Sequence, residues 1–284
     1  MRYENRQTAE GINVTPHNPV AHLLKLLVAA VVVIVLVVVL VNVFASKLGR
    51  LVPFRYEQAL MQHVTYDFAG EDESAEMQEY LNTLVQRLSP LLNVPEDIEI
   101  DLHHNSDGVF NAYATFGGNV VFYSGLLGQL PHENALAMVV AHEISHVLHR
   151  DPVAGLGGGL ASMAALMALT GNTGAGTVGS LLSKTGMVTQ MKFSRDMERA
   201  ADQAALKAVS QLYGHVNGTD ELFKVLDQLT SSETDEEESA LDAFTATHPL
   251  HQERIDAIAT WAAQNGWPTT GDLTPLPENY YDWL

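Results

Sequence analysis

The chain has 284 residues, enough for one or two domains and an ample core. It contains no cysteine, which excludes disulfide staples and thiolate metal sites, so any metal must be held by His, Asp or Glu. A formal charge of −19 argues against a nucleic-acid partner, since nothing here neutralises a run of phosphates, and it leaves an acidic surface that keeps a domain soluble.

Residues 1–22 lack periodicity and read as a flexible N-terminal tail. Residues 26–45, LLVAAVVVIVLVVVLVNVFA, carry no charge, and Asn42 is their only strongly polar side chain. Such a run, rising about 1.5 Å per residue, matches a hydrocarbon core of about 30 Å, so 23–46 is expected to be a single transmembrane anchor. Valine favours strand in water, but in lipid the backbone must satisfy its own hydrogen bonds, which favours helix. A cleaved signal peptide is the rival reading. Val43-Phe44-Ala45 passes as a cleavage site, yet the apolar run exceeds the usual length of about 7–15 residues. Arg2, Arg6 and Lys25 precede the span and Lys47, Arg50 and Arg55 follow it, so the positive-inside count is tied. The expectation is a single-pass protein of a bacterial inner membrane with its domain in the periplasm.

After a short linker, LGRLVPFRYEQ, a helix is expected from Glu73, with Met77, Leu81, Leu84, Val85 and Leu88 on one face and an end before Pro90. IEIDLH (98–103) alternates as a half-buried strand should, and NSDG (105–108) is a turn. VFNAYAT and NVVFYS follow as strands joined through Gly117-Gly118, a hairpin signal. Pro131 opens a long helix that Asp151-Pro152 closes. Residues 152–183 are uncharged and rich in Gly, Ala and Ser; an insert over 152–190 reads as a membrane-proximal or gating segment, with plain core as the alternative. Ser194 is the expected N-cap of a helix through RDMERAADQAALKAV, and another helix spans about 219–229. ETDEEES (233–239) reads as a solvated loop. ERIDAIATWAAQNG forms a last helix with Gly266 as its C-cap, and 266–284 is a turn-rich tail wrapping the surface.

Chemistry concentrates in VVAHEISHVLHRD (139–151). Residues four apart on a helix lie about 6 Å apart along it and share a face, so His142 and His146 aim two imidazoles at one ion. Glu143 is turned about 100° from His142 and serves better as a base toward a water on the ion's open side. The flanking Val139, Val140, Ile144, Val147 and Leu148 supply the rigid, dry wall that a metal site needs. His149 lies about 10 Å from His142 along the axis, too far to share an ion with it. The long signature H-E-x-x-H-x-x-G-x-x-H fails at His149 and Pro152, so a third ligand comes from elsewhere. Glu198 in FSRDMERAADQAAL is the best candidate, completing a His₂Glu set. Asp202, one turn on, is placed to accept a bond from a ligand imidazole, and Ala200, Ala201, Ala204 and Ala205 permit a close helix approach. The alternative is an ordinary amphipathic helix with a Glu–Arg surface. His103 and His104 are expected on opposite strand faces and His251 exposed at a helix start.

HEISH, then E-x-x-A-D from Glu198 to Asp202, then THPLHQERI (247–255), with NAYATFGGNVVFYSGLL (111–127) upstream, resembles the membrane-associated zinc endopeptidases of the CAAX prenyl protease and HtpX family. The likeness covers roughly 55–265, the expected metallopeptidase domain. It implies an α+β, mainly helical zincin-like fold with a small β-sheet, preceded by one transmembrane helix. It implies one Zn²⁺ per chain held by His142, His146 and Glu198, with Glu143 as general base. His248 is then expected to donate to the oxyanion, and Arg254 to pair with Asp202 or orient substrate. The strand Asn119, Val120, Val121 and Phe122 is the implied substrate-binding edge. The expected function is a membrane-anchored zinc metalloendopeptidase acting on proteins or peptides, among them membrane or misfolded envelope proteins, with the bilayer as its other partner. The alternative is a zinc-bound, chaperone-like binding protein with little proteolysis.

Overall fold

In the computed structural model, residues 18–49, 53–61, 74–155, 193–230, 244–249 and 252–284 are described, together with 4, 51, 68 and 242. The expected insert beyond residue 155, the acidic loop at 233–239 and His251 lie outside the described residues, as does most of the N-terminal tail.

The apolar run forms helix α1, Pro19–Gly49, which begins within the expected tail and extends past the expected anchor. Its 31 residues rise about 46 Å, more than a hydrocarbon core needs. Its large apolar side chains from Val20 to Leu40 are almost all exposed, and Pro19–Val37 is long and apolar enough to cross a membrane. A short helix α2, Arg55–Met61, follows.

Helix α3, Ala75–Leu88, starts where the Ser74 side chain accepts the Met77 amide, and it buries the five residues expected on its apolar face. Three strands follow: β1 Asp101–Asn105, β2 Ala112–Ala114 and β3 Asn119–Tyr123. β1 begins three residues later than its alternation implied, because its register is fixed by pairing Leu102 with Val120 and His104 with Phe122. The sheet order is β1-β3-β2, with β3 parallel to β1 and antiparallel to β2. Both faces are covered. Leu102, Ala112, Ala114, Val120 and Phe122 join the main core, while Tyr113, Val121 and Tyr123 pack with Phe68 and Phe116 on the other side.

After the short helix α4, Ser124–Leu127, the helix carrying HEISH is α5, Glu133–His149. Its N-cap is His132, whose Nδ1 accepts the Ala135 amide, so Pro131 stands just outside rather than opening the helix. Every residue from Glu133 to Val147 is buried. The helix ends at Arg150, a non-glycine residue in the left-handed region (φ 59°).

Helix α6, Arg195–Tyr213, is capped by Ser194 as expected and packs along α5 more extensively than any other pair of elements. Ala201, Ala205 and Ala208 form the buried contact face, whereas Ala200 is exposed and Ala204 only half-buried. Helix α7 spans Glu221–Thr230 and helix α8 spans Gln252–Asn265. The tail from Gly266 does more than wrap the surface: Tyr280 is wholly buried, and its hydroxyl donates to Leu127 O.

Candidate metal centre

Helix α5 presents His142 and His146 one turn apart, with their Nε2 atoms 3.0 Å from each other. Helix α6 brings the Glu198 carboxylate across: Oε1 lies 3.3 Å from His146 Nε2 and Oε2 lies 3.6 Å from His142 Nε2. These separations suit a tetrahedral ion, since arms of about 2.0–2.1 Å give donor–donor edges of about 3.3–3.4 Å.

The outer nitrogens explain why the rings face inward. His142 Nδ1 sits 2.9 Å from Asp202 Oδ1, and His146 Nδ1 sits 2.9 Å from Asp151 Oδ2. With each Nδ1–H donating to its carboxylate, both Nε2 lone pairs point at one another, which is favourable only with a cation between them. All of these groups are buried. The donors are imidazole and carboxylate with no thiolate, a set that suits zinc. Glu143 Oε2 adds a buried carboxylate oxygen with no hydrogen-bond partner, on the same side of α5.

His248 enters from the 244–249 segment, placed by Phe193 N–H donating to Thr247 O. Its Nδ1 is 3.2 Å from Glu198 Oε1, and its Nε2 is 3.2 Å from Ala112 O and 3.6 Å from Glu143 Oε1. One donor atom from each of His142, His146, Glu198 and His248 falls within 4.8 Å of the others, so His248 approaches as a possible fourth donor as well as a neighbour of the base. Arg254 on α8 clamps Asp202 through two bonds, Nε to Oδ2 at 2.7 Å and Nη2 to Oδ1 at 2.8 Å, and its Nη1 lies 2.6 Å from Glu198 Oε2.

Electrostatics follow this wiring. Burial alone would push the His142 imidazole down, but Asp202 and Glu198 outweigh it and lift the group to about 10. His146 is likewise raised, with burial opposed chiefly by Asp151 and Glu198. Burial would raise the Glu198 carboxyl, yet His248, His142 and His146 hold it well below the usual carboxylate range. Asp202 is lowered too, because Arg254 and His142 overcome its burial.

The structure thus brings together His142, Glu143, His146, Glu198, Asp202, His248 and Arg254. It does not bring Asn119, Val120, Val121 and Phe122 to an edge. β3 is the central strand, hydrogen-bonded to β1 on one side and β2 on the other, so its backbone has nothing left to offer a peptide. Val120, Val121 and Phe122 are fully buried, and the Asn119 amide is spent on Phe116 O. The strand beside the site is β2. Asn111 O and Thr115 N pair with β3, so by alternation Ala112 and Ala114 present their backbone groups outward, where His248 reaches Ala112 O.

Two neighbours of the site escape sequence reasoning. Asp151 reads as a helix stop but proves to be the orienting partner of His146. Phe193 stacks on the His146 ring at 4.0 Å with planes 14° apart, and no spacing rule marks it. His149 stays outside the cluster, its Nδ1 4.0 Å from Asp151.

The family model for peptidase family M48 matches residues 75–262, more than half of the chain. The chain is 28% identical over 183 residues to the mitochondrial metalloendopeptidase OMA1 of Schizosaccharomyces pombe, covering 64% of this chain and 52% of that protein. It is 32% identical over 205 residues to the beta-barrel assembly-enhancing protease of Escherichia coli (strain K12), covering 62% of this chain and 37% of that one. The chain thus spans about half of the first relative's length and little more than a third of the second's.

Proposed function

Because the chain belongs to peptidase family M48, we propose that it is a membrane-anchored, zinc-dependent endopeptidase. One observation carries this reading: two inward-facing imidazoles and a carboxylate from a second helix converge beside a buried glutamate with an unpartnered oxygen.

His142, His146 and Glu198 would hold one zinc ion. Zinc in such a site polarises the scissile carbonyl and acidifies water. Glu143 accepts the proton of the attacking water and returns it to the leaving amine. A cavity of about 20 Å³ beside Glu143 and His142, bordered by Val139, Leu222, Phe223 and Phe244, has room for about one water molecule. His248 Nε2, now on Ala112 O, turns its N–H to the developing oxyanion, a role worth about 3–4 kcal/mol. Arg254 keeps Asp202 ionised behind His142 and so holds that ring in its tautomer. An extended peptide adds to the outer edge of β2, a correction of the β3 expectation. We place the domain at residues 55–265 and α1 in a bacterial inner membrane with the domain in the periplasm. Membrane or misfolded envelope proteins are the proposed substrates, a reading supported by the name of the Escherichia coli relative.

Glu143→Gln tests the assignment. The variant should retain near one zinc per chain while cleavage of an unfolded protein falls about 10²–10⁴-fold. Wild-type cleavage by that variant would remove Glu143 as the base. Zinc with no cleavage by the wild-type chain would favour the chaperone-like alternative.

A further inference from the structure

Between the anchor and the catalytic unit stands α2, and one of its residues reaches the metal helix. Glu57 is 8% exposed, and its two carboxylate oxygens go to different places. Oε1 accepts Nε of Arg150 at 2.6 Å and also contacts Nη2 of the same guanidinium. Oε2 accepts the Gly117 amide at 3.2 Å.

Both recipients sit next to functional parts. Arg150 is the left-handed cap of α5, a conformation that L side chains adopt only when their surroundings impose it. Its amide closes the helix on Val147 O, and its guanidinium lies over the Phe54 ring at 5.5 Å. The next residue, Asp151, holds His146 Nδ1. Gly117 lies in the turn between β2 and β3 with φ 72°, and a Cβ there would meet Met61 at 3.1 Å, so α2 is seated closely against the end of the substrate strand.

We propose that Glu57 is a positioning residue for the metal centre, acting through Arg150 and Asp151 on the His146 ring and through Gly117 on β2. This rests on the metal-centre reading above. The segment that follows the membrane helix is on this account a working part of the site, and its seating sets how His146 is aimed.

Simple fastening is the competing explanation, and the zinc affinity and Co²⁺ spectrum separate the two. Burial raises the Glu57 carboxyl against the pull of the Gly117 amide and of Arg150. A carboxyl raised on folding binds protons more readily in the folded chain, so its ionised form does not add stability at neutral pH. What the charged pair supplies is direction, since the charge-assisted bond from Arg150 Nε to Glu57 Oε1 fixes the guanidinium in orientation.

The test uses the full chain in detergent micelles, with zinc affinity measured by chelator competition and Co²⁺ absorption as the spectroscopic reporter. Glu57→Gln should weaken zinc binding about 10-fold or more and shift the Co²⁺ bands, and because it leaves the partly buried Arg150 guanidinium without its carboxylate it should lower the unfolding temperature as well. Tyr56→Ala, on the exposed face of the same helix, should alter none of these. If Glu57→Gln fails to fold, Arg150→Lys, which keeps the charge and loses the Nε–H donor, should show the same loss of affinity. Wild-type zinc affinity and an unchanged Co²⁺ spectrum in whichever variant folds would reduce Glu57 to a fastener. Wild-type protein that takes up no zinc would instead fault the metal-centre reading itself.

Discussion

Each imidazole of the pair is held from behind by its own carboxylate, Asp202 for His142 and Asp151 for His146. Asp202 also neutralises Arg254, so Asp202→Asn leaves a buried guanidinium with less compensation. We expect about 10–100-fold weaker zinc binding and a loss of about 3–5 kcal/mol in urea unfolding; unchanged affinity would leave Asp202 as an ion-pair partner alone. His142 gives a pH signature. Its imidazole rises from 6.5 to about 10 among protein groups, so in zinc-stripped protein the stability it contributes is complete below pH 6.5 and lost as pH climbs through about 10. Zinc-loaded protein, whose His142 is neutral, should not share that decline in melting temperature, and parallel curves would refute the coupling. At this scale the sequence was readable wherever spacing on one helix decides geometry, as for His142, Glu143, His146, and Glu198 with Asp202. Asp151 was not readable, because it meets His146 only after the chain turns left-handed at Arg150, which an arginine does not advertise.

Helix α6 can deliver Glu198 because small residues at 201, 205 and 208 let it lie against α5, whose buried length provides the wall. Helical periodicity made this legible: the buried face of α3 and the Ser194 cap stand where the pattern put them. Strand order was not legible. The Gly117-Gly118 turn announces a hairpin, but nothing local says on which side β1 will pair, and β1 took the free side of β3. The apolar run VVFY, with all five positions of β3 buried, is the sign of a central strand. Placing the substrate on β2 has its own consequence. Ala114→Pro removes one outward N–H from that strand, so KM for an extended peptide should rise about five- to tenfold, near the worth of one hydrogen bond, with zinc content unchanged. An unaltered KM would move the substrate off β2.

Across the whole molecule, an apolar N-terminal helix precedes a mainly helical unit whose three-stranded sheet and α5–α6 pair enclose a single candidate metal cluster among the described residues. The tail contributes to that unit through Tyr280, and the −19 charge keeps its exterior acidic. Sequence alone conveyed the apolar N-terminal helix, the other helices and the convergence of His142 and His146, since each is written in local composition or spacing. It did not convey how α2 is tied to α5, because Glu57 and Arg150 are far apart in the chain and meet only in the fold. Anomalous diffraction at the zinc absorption edge, from crystals of the full chain, tests the central claim most directly. The account predicts one peak per chain about 2.0–2.2 Å from His142 Nε2, His146 Nε2 and a Glu198 oxygen. A peak elsewhere, or full zinc content with Glu198 turned away from it, would contradict the account.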